Sequence, residues 1–143
     1  LSTGGAPAPS PTATLTSLAT PGESARAFLA ALNAGELEAA AHCFAREACL
    51  ITPDATAIRG REEIRAILGQ LIAANTRIEA QSASILVAGD TALASERWLI
   101  HTRAPGAEPF GRLCRATAVL RRIEAGWKLA IVAPWGAVGG RSR

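Results

Sequence analysis

The chain has no tyrosine and no methionine, only three cysteines and two histidines, and only two aspartates, Asp54 and Asp90. The missing methionine extends to position 1, so the natural start is expected to have been removed, with a signal or pro-segment or in making the protein. Cys43, Cys49 and Cys114 are odd in number and fall in no CxxC or Cys/His pattern, which argues against a structural zinc site. They read as small buried thiols, with a Cys43 to Cys49 disulfide as the alternative in an exported protein. Neither histidine has a second histidine or a carboxylate at metal-ligand spacing, so no metal is expected, and no cofactor. No apolar run reaches the roughly 20 residues that span a bilayer, so the chain is expected to be soluble, with no membrane partner.

What is present is apolar and mildly basic. With 143 residues, 49% of them hydrophobic, and a mean hydropathy of +0.20, the chain fits one globular domain with a sizeable core. The net charge is +3, but the arginines are scattered from Arg26 to Arg143 rather than gathered with aromatic rings on one element. A basic face with stacking rings is what a nucleic-acid partner needs, so none is expected.

Residues 1–20, LSTGGAPAPSPTATLTSLAT, carry no charge and too little apolar surface to offset the entropy of ordering. They read as a flexible extension, residues 21–136 as the folded domain and 137–143 as a tail. Thr20-Pro21-Gly22-Glu23 offers a hydroxyl cap, a proline for the first turn and a carboxylate three residues on, which predicts a helix through ESARAFLAALNAG that stops at Gly35. ELEAAAHCFA predicts a second, short helix with Leu37, Ala40, Ala41 and Phe44 on one stripe. ACLITPDATAIRG predicts two extended pieces broken at Pro53-Asp54, and Gly60 leads into a third helix, REEIRAILGQLIAAN. Segments 76–88, 91–102, 110–123 and 127–135 predict long strands, separated by Gly89-Asp90, RAPGAEP and Ala125-Gly126. Helices first and an antiparallel meander last give an α+β fold with helices on one sheet face.

The stretch FLAALNAGELEAAAHCFAREACLITPDATAIRGREEIRAIL, then GDTALASERW, LRRIEAGWKLAIVAPWG and its closing Pro-Trp-Gly, resembles the nuclear transport factor 2-like superfamily, in its SnoaL-like and ketosteroid-isomerase-like bacterial branch, over residues 22–136. The resemblance implies a conical barrel: a curved, mostly antiparallel sheet wrapped around a long helix, with an apolar cavity open at one end and often a dimer through the convex face. Such a fold serves enzymes and non-enzymes, so it does not settle function. The ketosteroid isomerase pattern would imply an aspartate base and a Tyr/Asp oxyanion hole, the limonene-epoxide hydrolase pattern an Asp-Arg-Asp set, and the scytalone dehydratase pattern His and Tyr. Two aspartates in a bend and a turn, and no tyrosine, supply none of these in its known form. The chain also carries Val132-Ala133 where relatives often have Asp-Asn before the Pro-aromatic-Gly.

Alternation puts Ala92, Ala94, Glu96, Trp98 and Ile100 on one face of the strand SERWLIHTR belongs to, and Leu93, Ser95, Arg97, Leu99, His101 and Arg103 on the other. A two-residue hairpin at Gly89-Asp90 would set Glu96 opposite Ala83, and a loop centred on Gly106 would set it opposite Ala116. Extending the ladder through an Ala125-Gly126 turn brings Trp135 beside Ala116. A glutamate walled by alanines and by Trp98 and Trp135 loses hydration, which penalises its charged form and suits it to proton transfer. The competing readings pair Glu96 with an arginine, for instance Arg112, or turn it to water. His101 reads as a solvated or interface residue and His42 as an exposed helix residue. The apolar outer face, with Leu93, Leu99 and Val119, predicts a homodimer.

Two functions are therefore weighed. One is an enzyme for a hydrophobic polyketide- or terpenoid-like small molecule, working by acid/base-assisted cyclisation, isomerisation or epoxide opening. Glu96 handles the proton, and Trp98, Trp135, Phe28, Leu32 and Arg112 hold the substrate. The other is a non-catalytic binding or assembly module. An open cavity with Glu96 at its wall favours the first, and one filled by Trp98, Phe28 and Leu32 favours the second. A cytoplasmic location is expected, with export on an N-terminal tether as the alternative.

Overall fold

The structure, a computed structural model, describes residues 20–52, 55–102, 110–124 and 126–136, and the side chains of Phe110 and Trp135 are outside it. The extension, the tail, the Pro53-Asp54 break and the RAPGAEP loop thus lie outside the described residues.

The first helix, α1 (Pro21–Asn33), begins with a complete capping box: Thr20 Oγ1 accepts the Glu23 N–H at 3.1 Å, and Glu23 Oε1 accepts the Thr20 N–H at 3.2 Å. Gly35, at φ +75°, takes the left-handed conformation that ends it. α2 (Leu37–His42) is shorter than its pattern predicts, because Phe44 leaves the helix and opens strand β1 (Phe44–Ile51). There it pairs with Leu129 in parallel and meets Phe28 edge-on, with ring centroids 5.2 Å apart. Tertiary pairing overrides the helical spacing of that residue. The chain continues through β2 (Ala57–Arg59), α3 (Arg61–Ala73), β3 (Arg77–Ala88), β4 (Thr91–Thr102), β5 (Phe110–Ile123) and β6 (Gly126–Gly136).

The strands form one sheet in the order β2-β1-β6-β5-β4-β3, antiparallel throughout except where β6 runs parallel to β1. α1 packs against β3, β4 and β6, and α3 against β1 and β2, so the helices cover one face. Two side chains tie α1 to the sheet. Ser24 Oγ, fully buried, donates to the Trp127 carbonyl at 2.7 Å. Asn33 pairs like a strand residue, its amide accepting the Ile78 N–H and donating to the Ile78 carbonyl, each at 2.8 Å.

Gly89-Asp90 makes the expected two-residue hairpin, closing at Ala88↔Thr91 with Gly89 at φ +60°. The β5–β6 turn falls one residue earlier than Ala125-Gly126: the ladder closes at Ile123↔Gly126, with Glu124 at φ +58°. Two register shifts along β6 then intervene. The first, between Leu120↔Leu129 and Val119↔Ile131, inserts Ala130 and reverses the alternation, so that Val132 turns inward after Trp127 and Leu129. The second lies between Thr117↔Ala133 and Arg115↔Gly136 and sets the backbone of Pro134 and Trp135 against Ala116. A proline, with no N–H for the ladder, fits such an interruption.

All three cysteines are free, which corrects the disulfide alternative. Cys43 Sγ donates back to the Ala39 carbonyl, whereas Cys49 Sγ accepts from Arg59 on the neighbouring strand β2. Among the described residues, no helix is long and apolar enough to cross a membrane.

Candidate functional site

β4 is the strand that positions the candidate site. Its burial alternates residue by residue, with Ala92, Ala94, Glu96, Trp98 and Ile100 buried and Arg97 exposed. The inner-face parity of Glu96 is therefore as the alternation predicts, and the reading that turns it to water is corrected. Its ladder partners are Ala83 on β3 and Ala116 on β5, both too small to cover it with polar atoms. The carboxylate is 8% exposed, among few buried charged groups in the described core.

Its partner is an indole. Trp98 Nε1 donates to Glu96 Oε1 at 2.5 Å, between side chains two residues apart on the same face. Among the described residues Arg65 pairs with Glu38 and Arg122 with Asp90, and His101 lies near Glu79; none of these contacts includes Glu96. The Arg112 alternative fails on register. Arg112 lies opposite Ile100, whereas Glu96 lies opposite Ala116, about 13 Å further along β5 at the usual strand rise. Arg112 is exposed.

Two cavities open inside the sheet, and Trp98, Phe28 and Val132 stand between them, lining both. The small one, about 20 Å³, is bounded by Glu96, Ala25, Ala94, Ala116 and Ala118. The larger, about 190 Å³, is bounded by Leu32 of α1, Leu50 of β1, Ile67 and Leu71 of α3, and Pro134 of β6. Glu96 does not line it. The structure thus brings Phe28, Leu32 and Trp98 together around the larger cavity and holds Glu96 behind the indole, while Arg112 contributes to neither wall. The Trp135 side chain lies outside the described residues.

Cys114, opposite Trp98 and 2% exposed, adds a thiol to the inner face, and burial pushes its titration up, against the pull of Arg112. It is a protonated, apolar part of the buried inner face at neutral pH and lines neither cavity. His101, half-buried, sits 3.7 Å from Glu79, and exposed His42 has Nδ1 3.0 Å from the Glu38 carbonyl, so neither histidine enters the cavities. Among the described residues no group of three or more histidines, cysteines or carboxylates is arranged to hold a metal ion.

One lining residue carries no sequence signal. Thr76, which joins α3 to β3, lines the larger cavity, and its hydroxyl is buried without a hydrogen-bond partner among the described residues. The α3 positions Ile67 and Leu71 are legible as a helical stripe, but periodicity alone does not separate a cavity wall from packed core.

Compared with known proteins, residues 23–132 match the family model of the SnoaL-like domain. Among solved structures, a candidate dehydratase of the NTF2-like family from Streptomyces avermitilis is 24% identical, with a TM-score of 0.72 over 85% of this chain and 99% of that one. A candidate scytalone dehydratase from Novosphingobium aromaticivorans is 12% identical, with a TM-score of 0.74 over 85% and 92%. An NTF2-like protein with a cystatin-like fold from the same organism is 20% identical, with a TM-score of 0.70 over 82% and 80%. No curated protein matches the sequence. At these identities the structural likeness speaks to the fold: the cone of the NTF2-like superfamily.

Proposed function

The chain belongs to the SnoaL-like domain family, and from that premise we propose that it is an enzyme for a hydrophobic small molecule, using Glu96 as its proton donor or acceptor. The observation that carries the reading is a carboxyl group 8% exposed in an apolar cone, with an indole N–H as its hydrogen-bond partner and no cation paired with it among the described residues. A structural glutamate at such depth is ordinarily paired with a cation, because an unpaired buried charge is costly. Placed beside a ligand-sized cavity, it is a candidate acid/base group. The larger cavity holds the substrate against Trp98, Phe28 and Leu32, and substrate folding by these walls supplies part of the rate. The reaction is then acid/base-assisted cyclisation, isomerisation or epoxide opening of a terpenoid- or polyketide-like molecule. Two structural neighbours carry dehydratase names; dehydration breaks a C–H and a C–O bond, and one carboxylate that takes the carbon-bound proton and delivers it to the departing hydroxyl, which leaves as water, would serve it.

Trp98 stands between Glu96 and the larger cavity. Since the indole lines both cavities and holds the carboxyl, a turn of the ring would release Glu96 toward a substrate in the larger one. The same placement favours the second reading, a binding module in which the Trp98–Glu96 pair is a fixed wall. The two separate in one experiment. Native mass spectrometry of the purified protein identifies a co-purifying small molecule, and turnover and binding of that molecule are then measured in wild type and Glu96→Gln. The enzyme reading expects turnover to fall by about 10²-fold or more with binding little changed. Binding without turnover in the wild type leaves the module, and unchanged turnover in Glu96→Gln removes Glu96 from the chemistry.

A further inference from the structure

Behind the apolar wall of the larger cavity lies a polar group without a partner among the described residues. Thr76 is 7% exposed, lines the cavity, and its Oγ1 has no hydrogen-bond partner among the described residues. The other hydroxyl in the lining, Thr52, is engaged in its own bend: it donates to the Thr56 carbonyl and accepts the Thr56 N–H, each at 3.1 Å. Every remaining described lining side chain is hydrocarbon or aromatic, and none carries a charge.

Leaving a hydroxyl buried and unpaired forfeits its hydration without return. Water is a poor remedy here, since a buried water needs two to four polar partners and the described lining offers this one free hydroxyl. As it stands the cavity wall is wholly apolar and the Thr76 oxygen lies behind it; the hydroxyl and methyl of a threonine share one carbon, so a change of χ1 on binding is the step that would turn the oxygen toward an occupant. The group that satisfies it has to arrive with the occupant.

We propose that Thr76 is the polar anchor of this cavity and that its ligand is a neutral, largely hydrocarbon molecule bearing one hydroxyl or carbonyl oxygen, which pairs with Thr76 Oγ1. Size and charge narrow the class further. A dry cavity of 150 Å³ holds benzene, so about 190 Å³ has room for a single ring with a few substituent atoms. A carboxylate or phosphate is excluded by the absence of any cation in the described lining, since an unpaired charge there would be uncompensated. The proposal rests on reading the cavity as the ligand site, and it names the substrate class for that site.

The test uses non-reacting probes on the full chain: ethylbenzene, 4-ethylphenol and 4-methylbenzoate, titrated calorimetrically against wild type, Thr76→Val and Thr76→Ser. The wild type is expected to bind 4-ethylphenol about three- to tenfold tighter than ethylbenzene and 4-methylbenzoate not measurably. Thr76→Val, which keeps the shape and removes the oxygen, reverses the preference, and Thr76→Ser retains it. Thermal melting of the unliganded proteins accompanies the titrations, and Thr76→Val is expected to melt no lower than wild type, because it removes an unpaired buried hydroxyl. Equal binding of the two ethyl probes, no binding of either, or a preference that survives Thr76→Val overturns the proposal. Because the probes do not react, the outcome is independent of Glu96 turnover: a protein that converts nothing but shows this preference is a binding module with the same anchor.

Discussion

Burial pushes the Cys43 thiol up to about 11 from an ordinary value of 9.0, with Lys128 pulling weakly the other way. The unfolded chain releases that proton near pH 9, while the folded chain holds it until about 11. Between those values the unfolded state binds fewer protons, so stability that is fully present below pH 9 is lost as the pH rises, by about 2–3 kcal/mol in all. Lys128, whose ammonium is pulled down by its own burial, titrates with the opposite sign over part of this range. The quantity to measure is therefore the difference in urea midpoint between wild type and Cys43→Ala from pH 8 to 11, and a difference that does not change with pH would show that Cys43 is hydrated. At the same scale, Glu96 was legible and Thr76 was not. The register that seats Glu96 between Ala83 and Ala116 follows from one short turn and strict alternation along β4. The role of Thr76 depends on how far α3 stands off the sheet, which no local pattern encodes.

Among the elements, the junction of α1 with β3 depends on Asn33, whose amide gives and takes a backbone hydrogen bond at Ile78. Asn33→Ala removes both partners from a half-buried peptide, and the expected loss is about 2 kcal/mol in urea unfolding, against less than 0.5 kcal/mol if solvent replaces them. Nothing in the sequence marks Asn33 as more than a helix-ending residue. The elements themselves were readable where one local signal dominates. The Thr20–Glu23 box opened α1, Gly35 closed it, and Gly89-Asp90 fixed the β3–β4 hairpin. Prediction failed where a distant strand decides. Phe44 fits a helical stripe by spacing but is drawn into β1 by Leu129, and the β5–β6 turn shifts by one residue because two irregularities in β6 absorb the difference. The parallel pairing of β1 with β6 joins segments about eighty residues apart and has no local signature.

Across the whole molecule, the outer sheet face presents a row of apolar side chains over four strands: Leu86, Leu93, Val119 and Ile131 are successive ladder partners. Leu86 is 68% exposed, and Leu93 and Ile131 are each 44% exposed. We propose that a second copy of the chain covers this row, since a two-fold axis lets one apolar strip meet its own duplicate. Light scattering at micromolar concentration is expected to give twice the 14.7 kDa of one chain, and Leu93→Glu to return it to one chain without loss of the fold. A monomeric wild type would sink the proposal. The order of the strands has a different consequence, for the protein as it is made. β6 lies in the middle of the sheet, between β1 and β5, yet it is the last described element to leave a ribosome. Until then β1 has only the short β2 beside it, and the apolar undersides of β1 and β5 have no bridge between them. Translation therefore leaves the cone split until β6 emerges, a period in which the nascent chain offers two open strand edges to chaperones or to other nascent chains.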